Sequence, residues 1–496
     1  MSDKDRQAAD GDPRGGQDNE EAVRRAAQGK PAKVLKLVSF FAFAAACAVF
    51  LYFSAAGDAS ATGDARQDQS NNARDARFDR QIDANADAMM DEGRQIFRYD
   101  TFGDEAFWGD TIKLHQATQG ERFGGVGPGV SPATALAVGL KVDIEALPPQ
   151  LVQRLRRGDV DLNDPATTLA LLKLNAVVGV KGTFNENGSM SRVGITCALC
   201  HSKVDDSFAP GIGKRLDGWA NRDLNVGAIV GLSPDLSAVN ALLGVDDATT
   251  RAVLASWGPG RFDALLFLDG KAFRPDGRSA STLIPPAYGL AGINNHGYTG
   301  FGSVPYWNAF VANLEMHGSG RFFDPRLDDA ERYPVAARNR SGHVAATEDL
   351  VSSKLPALQF YQLAIPAPTP PAGSFDAAAA ARGKQIFNTG NGGASCAVCH
   401  VPPTFSEPGF NMHTGAEIGI DEFAADRSPG RFLNGEEVGG YRTAPLRGVW
   451  AHQQGGFYHD GRFATLLDVV NHYNNHFSLN LTDQQKNDLV EYLKSL

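Results

Sequence analysis

Two copies of a five-residue unit, Cys197-Ala-Leu-Cys200-His201 and Cys396-Ala-Val-Cys399-His400, constrain this chain more than any other feature. Two thiols separated by two residues can each add to a vinyl group of one haem while the adjoining imidazole reaches its iron. That spacing is specific for c-type haem attachment. A four-cysteine zinc site or a thioredoxin-like redox pair needs no His after the second Cys, and neither needs it twice. Cys197, Cys200, Cys396 and Cys399 are therefore expected as thioether positions, with His201 and His400 as proximal iron ligands. The fifth cysteine, Cys47, lies in an apolar run, so none is left for a disulfide framework.

Because c-type haem is attached outside the cytoplasm, the N-terminus should carry an export signal. The run Leu37–Ala56 holds 20 residues without a charge. As a helix it would span ~30 Å, the thickness of a bilayer core. Arg24, Arg25, Lys30, Lys33 and Lys36 precede it, which sets residues 1–36 as a cytoplasmic polar leader. The expectation is an inner-membrane anchor over 37–56, with the haem domains in the periplasm. The rival is secretion after cleavage near Ala61, where Ala59-Ser60-Ala61 resembles a cleavage site. Residues 57–78 are polar with charges of both signs and predict a flexible tether. A net charge of −10 excludes a nucleic-acid partner, which needs a basic face.

The proline-rich Ile365–Gly373 predicts a linker over 365–375. Beyond it, Asp376 is a candidate N-cap for an Ala-rich helix ahead of Cys396. In the terminal segment, Thr482 and Gln485 suggest a capping box, with Leu489, Leu493 and Leu496 on one face. That layout over 376–496 resembles a small cytochrome c domain. Gly93-Arg-Gln-Ile-Phe97 nearly repeats Gly383-Lys-Gln-Ile-Phe387. The repeats are 290 residues apart and the haem motifs 199, so the first copy carries 91 extra residues before its motif. Within them, Ala133–Leu147, Pro149–Arg157 and Pro165–Ala176 are helix-like. The expected fold is mostly α-helical: two cytochrome c-like haem domains behind an N-terminal transmembrane helix, the first, 79–364, heavily expanded.

What each haem does depends on its sixth ligand. No His follows His201 until His296 and no Met until Met316, so an open iron that binds peroxide or dioxygen is expected there. His296 or His317 reaching back is the alternative. For the second haem, Tyr441-Arg-Thr-Ala-Pro-Leu-Arg-Gly-Val449 and Gly456-Phe-Tyr-His-Asp-Gly461, with the helix that follows, resemble the di-haem cytochrome c peroxidase and MauG superfamily. That resemblance implies a sixth ligand fourteen residues after His459, which is Tyr473. His472, His476, Met412 and His413 compete with it, and His459-Asp460 is otherwise a turn capping the next helix. A bound calcium between domains is common in the superfamily, though no residue here marks its ligands.

The segments Gly300–Phe310 and Met316–Arg326 resemble the di-haem rubber oxygenase branch of the superfamily. This implies Trp307 and Phe322, with fourteen residues between them, as an apolar wall over the first haem. Most such aromatics are core residues. Glu315 and His317 are candidates for moving a proton to and from peroxide. Trp257 or Trp307 could relay electrons between haems. The function expected is a peroxidase-like oxidoreductase, fed by a small redox protein or a quinol-linked donor and acting on peroxide, dioxygen or a small apolar substrate. The alternatives are a pure electron-transfer cytochrome and an oxygenase for an apolar substrate.

Overall fold

The computed structural model describes residues 64–390, 394–433 and 436–496. The apolar run 37–56 and the cleavage position near Ala61 lie outside these. Among the described residues no helix is long and apolar enough to cross a membrane, so the inner-membrane anchor expected from the sequence is not supported. Among the described residues, those up to Ile82 and Asp83–Leu496 belong to separate units.

Helix α1 (Asp64–Tyr99) overruns the expected tether from Asp64 onward. No Gly or Pro interrupts the chain between Asp64 and Glu92, and its Ala, Arg and Gln residues favour helix. The mostly α-helical expectation is corrected as well. The fold mixes helices with short strands, and the described residues contain six two-stranded β pairs.

One of those pairs lies wholly in the segment expanded ahead of the first motif. Helices α2 (Pro132–Ala137), α3 (Pro149–Arg157) and α4 (Pro165–Lys173) form there. The first is far shorter than the expected Ala133–Leu147. Gly139 ends it at φ 86, where a side chain would strike the Asp223 carbonyl at 2.1 Å, and a short strand at Val142–Asp143 follows. Strands β1 (Val180–Phe184) and β2 (Met190–Ile195) make an antiparallel hairpin that delivers the chain to Cys197. The residues of β1 are half-buried without alternation, so no period-2 signal announced it.

The short α5 (Ala198–His201) carries the first motif, and α6 (Val226–Gly231) follows it. Helix α7 (Val304–Phe310) continues into a π-helical turn, Val311–Glu315. Next come α8 (Leu355–Ala364), α9 (Ala377–Thr389), α10 (Leu466–His476) and α11 (Asp483–Lys494). Asp376 caps α9 and the Thr482–Gln485 capping box opens α11, as the sequence suggested.

The repeated glycines act alike. Gly383 of α9 lies against the Asp488 carbonyl of α11, and Gly93 of α1 against the Ala357 carbonyl of α8, so neither has room for a Cβ. Four residues on, Phe387 packs on Tyr492 at 5.2 Å between ring centroids, and Phe97 on Tyr361 at 5.6 Å. The proline-rich stretch between α8 and α9 is pinned: Ile365 is buried, its carbonyl accepts from Gly289 N–H, and the Pro368 carbonyl accepts from Trp450 Nε1–H.

Candidate functional site

Each motif aims its imidazole in the same way. Nδ1–H of His201 donates to the Pro285 carbonyl at 3.1 Å, and Nδ1–H of His400 to the Phe405 carbonyl at 3.0 Å. Fixing the proton on Nδ1 leaves Nε2 as an unprotonated lone pair, the form in which His binds a metal. Burial lowers both imidazoles, His201 to about 4, so neither is charged at neutral pH.

The thiols fit covalent haem better than the rival chemistries. Burial pushes Cys197 and Cys200 up to about 12 and Cys396 to about 11, whereas a redox pair needs a lowered thiol. No disulfide joins the four cysteines. Among the described residues they do not gather into a thiol-rich metal site either; the one mixed cluster is Cys399 with Glu407 and His413.

Around the first motif, Glu315 ends the π-helical turn after α7, and both of its carboxyl oxygens are buried without a hydrogen-bond partner. Burial, with Asp263 adding to it, holds this carboxyl well above the usual range and hence protonated. Met316, the next residue, packs in the core cluster that holds Ala198 and borders Cys197, which sets this turn beside the first motif. π-Helical turns of this kind are frequent at functional sites. His317 follows at φ 60, its ring stacked on Phe107 at 3.7 Å. Burial lowers it to about 4. The turn is tied down by Trp108, whose Nε1–H donates to the Met316 carbonyl at 3.0 Å.

Trp307 and Phe322 share an aromatic cluster, bridged by Tyr306 and Phe310 at centroid distances between 5.4 and 6.3 Å. Trp307 is half-buried and its Nε1–H donates to the His296 carbonyl. His296 is buried, with Nε2–H on the Ile293 carbonyl at 3.0 Å. That nitrogen is therefore committed to backbone. Trp257 is a core residue of the expanded segment, packed on Phe262.

Around the second motif, three neighbours on α10 separate cleanly. His472 Nε2–H donates to the Ile418 carbonyl at 2.7 Å and His476 Nε2–H to the Glu417 carbonyl at 2.9 Å. Tyr473 is half-buried with its ring 6.3 Å from that of Tyr458; burial raises its hydroxyl, interaction with Tyr458 lowers it, and the Cys399 and Cys396 sulfurs raise it further. Met412 Sδ accepts from Asn295 at 3.5 Å, and His413 pairs with Glu407 at 2.6 Å. His459 does not cap α10, whose capping box is Thr465 and Asp468. Its ring is buried against Tyr441 at 5.3 Å, and its Nε2 has no hydrogen-bond partner and lies 4.0 Å from the Asp460 carboxylate.

One group was not singled out from sequence. Trp219 and Trp450 meet edge to face at 5.8 Å, and Trp219 also meets Tyr288 at 6.0 Å. The Tyr288 hydroxyl lies 2.6 Å from His452 Nε2 and 2.9 Å from the Gly448 carbonyl. Trp219 packs on the cluster containing Cys197, and Val449, next to Trp450, on the cluster containing Cys396. This aromatic contact thus connects the surroundings of the two motifs. The pairing spans 231 residues and leaves no sequence signal beyond two tryptophans.

No family model matches the chain, and no curated protein matches it. Among solved structures it is similar to Kuenenia stuttgartiensis hydrazine synthase pressurised with 20 bar xenon. The identity is 19%, over 47% of this chain and 86% of that one, and the TM-score is 0.24. At that score the likeness carries no argument about fold or activity.

Proposed function

We propose that the chain carries two covalent c-type haems, one on each motif, and acts as a haem-dependent oxidoreductase. In this reading the second motif serves electron transfer and the first serves peroxide or dioxygen chemistry. The observation that carries it is Glu315, a buried and unpartnered carboxyl held well above its usual range on a turn that packs against the first motif. A buried polar group without a partner costs stability, so its retention calls for a task. Bound haem would supply iron for electron transfer and for holding the oxygen species. Glu315 can give its proton to a departing peroxide oxygen and take one back. The Pro285 and Phe405 carbonyls orient the proximal imidazoles, and Tyr473 is the favoured sixth ligand of the second iron. The Trp219–Trp450 contact offers an aromatic route between the two.

The resemblance of residues 441–449 and 456–475 to the di-haem cytochrome c peroxidase and MauG superfamily agrees with this reading. A small redox protein or quinol-linked donor would supply electrons. A purely electron-transferring cytochrome leaves Glu315 without a role. An apolar substrate draws separate support from the aromatic cluster around Trp307 and Phe322.

Intact mass and EPR spectra of the purified protein test the proposal. Two haem adducts are expected, one lost in Cys197→Ala/Cys200→Ala and the other in Cys396→Ala/Cys399→Ala. One high-spin signal should respond to peroxide. A protein without adducts, or with only low-spin haem indifferent to peroxide and carbon monoxide, would sink it.

A further inference from the structure

The segment expanded ahead of the first motif encloses a cavity of about 70 Å³. Ala135, Leu136, Leu171, Val193 and Ile195 line it, and so does Leu199, the residue between Cys197 and Cys200. The wall is almost wholly apolar. The Lys141 amine is spent on Asp223. Thr168 also lines the cavity; it is 5% exposed and its hydroxyl has no hydrogen-bond partner. A second cavity of about 20 Å³ shares Pro132, Leu136, Val142 and Leu171 with the first and continues under α3 to Leu151 and Leu155. Leu232 lines the larger cavity although it is 42% exposed, so its side chain lies between the cavity and solvent.

Apolar cavities stay dry, and one of about 150 Å³ takes up benzene or xenon. At roughly half that volume, this one is too small for an aromatic ring and large enough for xenon, dioxygen or a few heavy atoms. Its atoms lack contacts on one side, which an apolar guest would restore. We propose that the cavity binds a gas-sized apolar molecule beside the first motif, admitted past Leu232, with the Thr168 hydroxyl free to meet one acceptor atom. Delivery to iron rests on the oxygen chemistry proposed above; occupancy does not.

Xenon is the probe, applied to the full chain as ¹²⁹Xe NMR and as pressurised crystals. A saturable site bounded by Leu136, Leu171 and Leu199 is expected. Ala135→Leu, whose three added carbons fill the cavity, should lower its occupancy at least tenfold. Leu232→Trp enlarges a side chain that lies between the cavity and solvent and should slow xenon exchange severalfold. Absence of xenon from the wild-type cavity, or equal occupancy in folded Ala135→Leu, would overturn the proposal. Should Ala135→Leu fail to fold, unchanged exchange in Leu232→Trp overturns it instead. The haem content of the same samples keeps the two readings apart: xenon without haem defeats only the oxidoreductase reading, and haem without xenon defeats only this one.

Discussion

Glu315 keeps both carboxyl oxygens away from water and from any hydrogen-bond donor, which only the protonated form tolerates. Its unfolded counterpart loses the proton near pH ~4.3. Between that pH and the higher folded value the native state binds the extra proton, so stability falls as pH rises. Glu315→Gln should flatten this slope in melts from pH 5 to 9. The same variant should cut peroxide turnover by about 10²–10⁴-fold with haem content unchanged. On α10 the geometry divides three adjacent candidates. Tyr473→Phe should shift the visible and EPR spectrum of the second haem. His472→Phe, which removes a bond to the Ile418 carbonyl, should cost about 1 kcal/mol in urea titrations and leave the spectrum alone. The sequence made Cys197–His201 and Cys396–His400 legible because the chemistry needs those residues in one short run. It listed Glu315 among several candidates, since nothing local says which carboxylate is buried without a partner.

Helix pairs carry the internal repeat. A Cβ on Gly383 would sit 2.0 Å from the Asp488 carbonyl, and one on Gly93 2.1 Å from that of Ala357. Gly383→Ala should therefore push α9 from α11 and cost about 1–3 kcal/mol in chemical denaturation, as overpacking does. The Gly-x-Gln-Ile-Phe repeat was visible in sequence, and so was α11, the partner of its second copy. The first copy's partner was not. Tyr361 lies 264 residues beyond Phe97, whereas Tyr492 lies 105 beyond Phe387, so the insertions hide the equivalence. The short strands were missed for a different reason. Half-buried two-stranded pairs have no clean apolar alternation, and tertiary contact alone fixes them.

Across the whole of Asp83–Leu496, buried charge ties distant segments together. Arg427, 2% exposed, donates to both oxygens of Asp263 and to Asp269. Arg427→Met leaves two carboxylates buried without their cation and should cost about 3–5 kcal/mol by thermal or urea unfolding. Replacing all three by apolar residues should recover most of the loss. Ties of this kind cross more than 150 residues, which is why a chain that announces its cofactor chemistry so plainly conceals how its parts meet. The two imidazole anchors differ in the same respect. His400 leans on a carbonyl five residues away, His201 on one 84 residues away. During synthesis the later motif can orient its ligand as soon as its own loop closes. The earlier one emerges first from the ribosome yet must wait for Pro285, so the order in which the two imidazoles become correctly aimed need not follow the order in which their motifs are made.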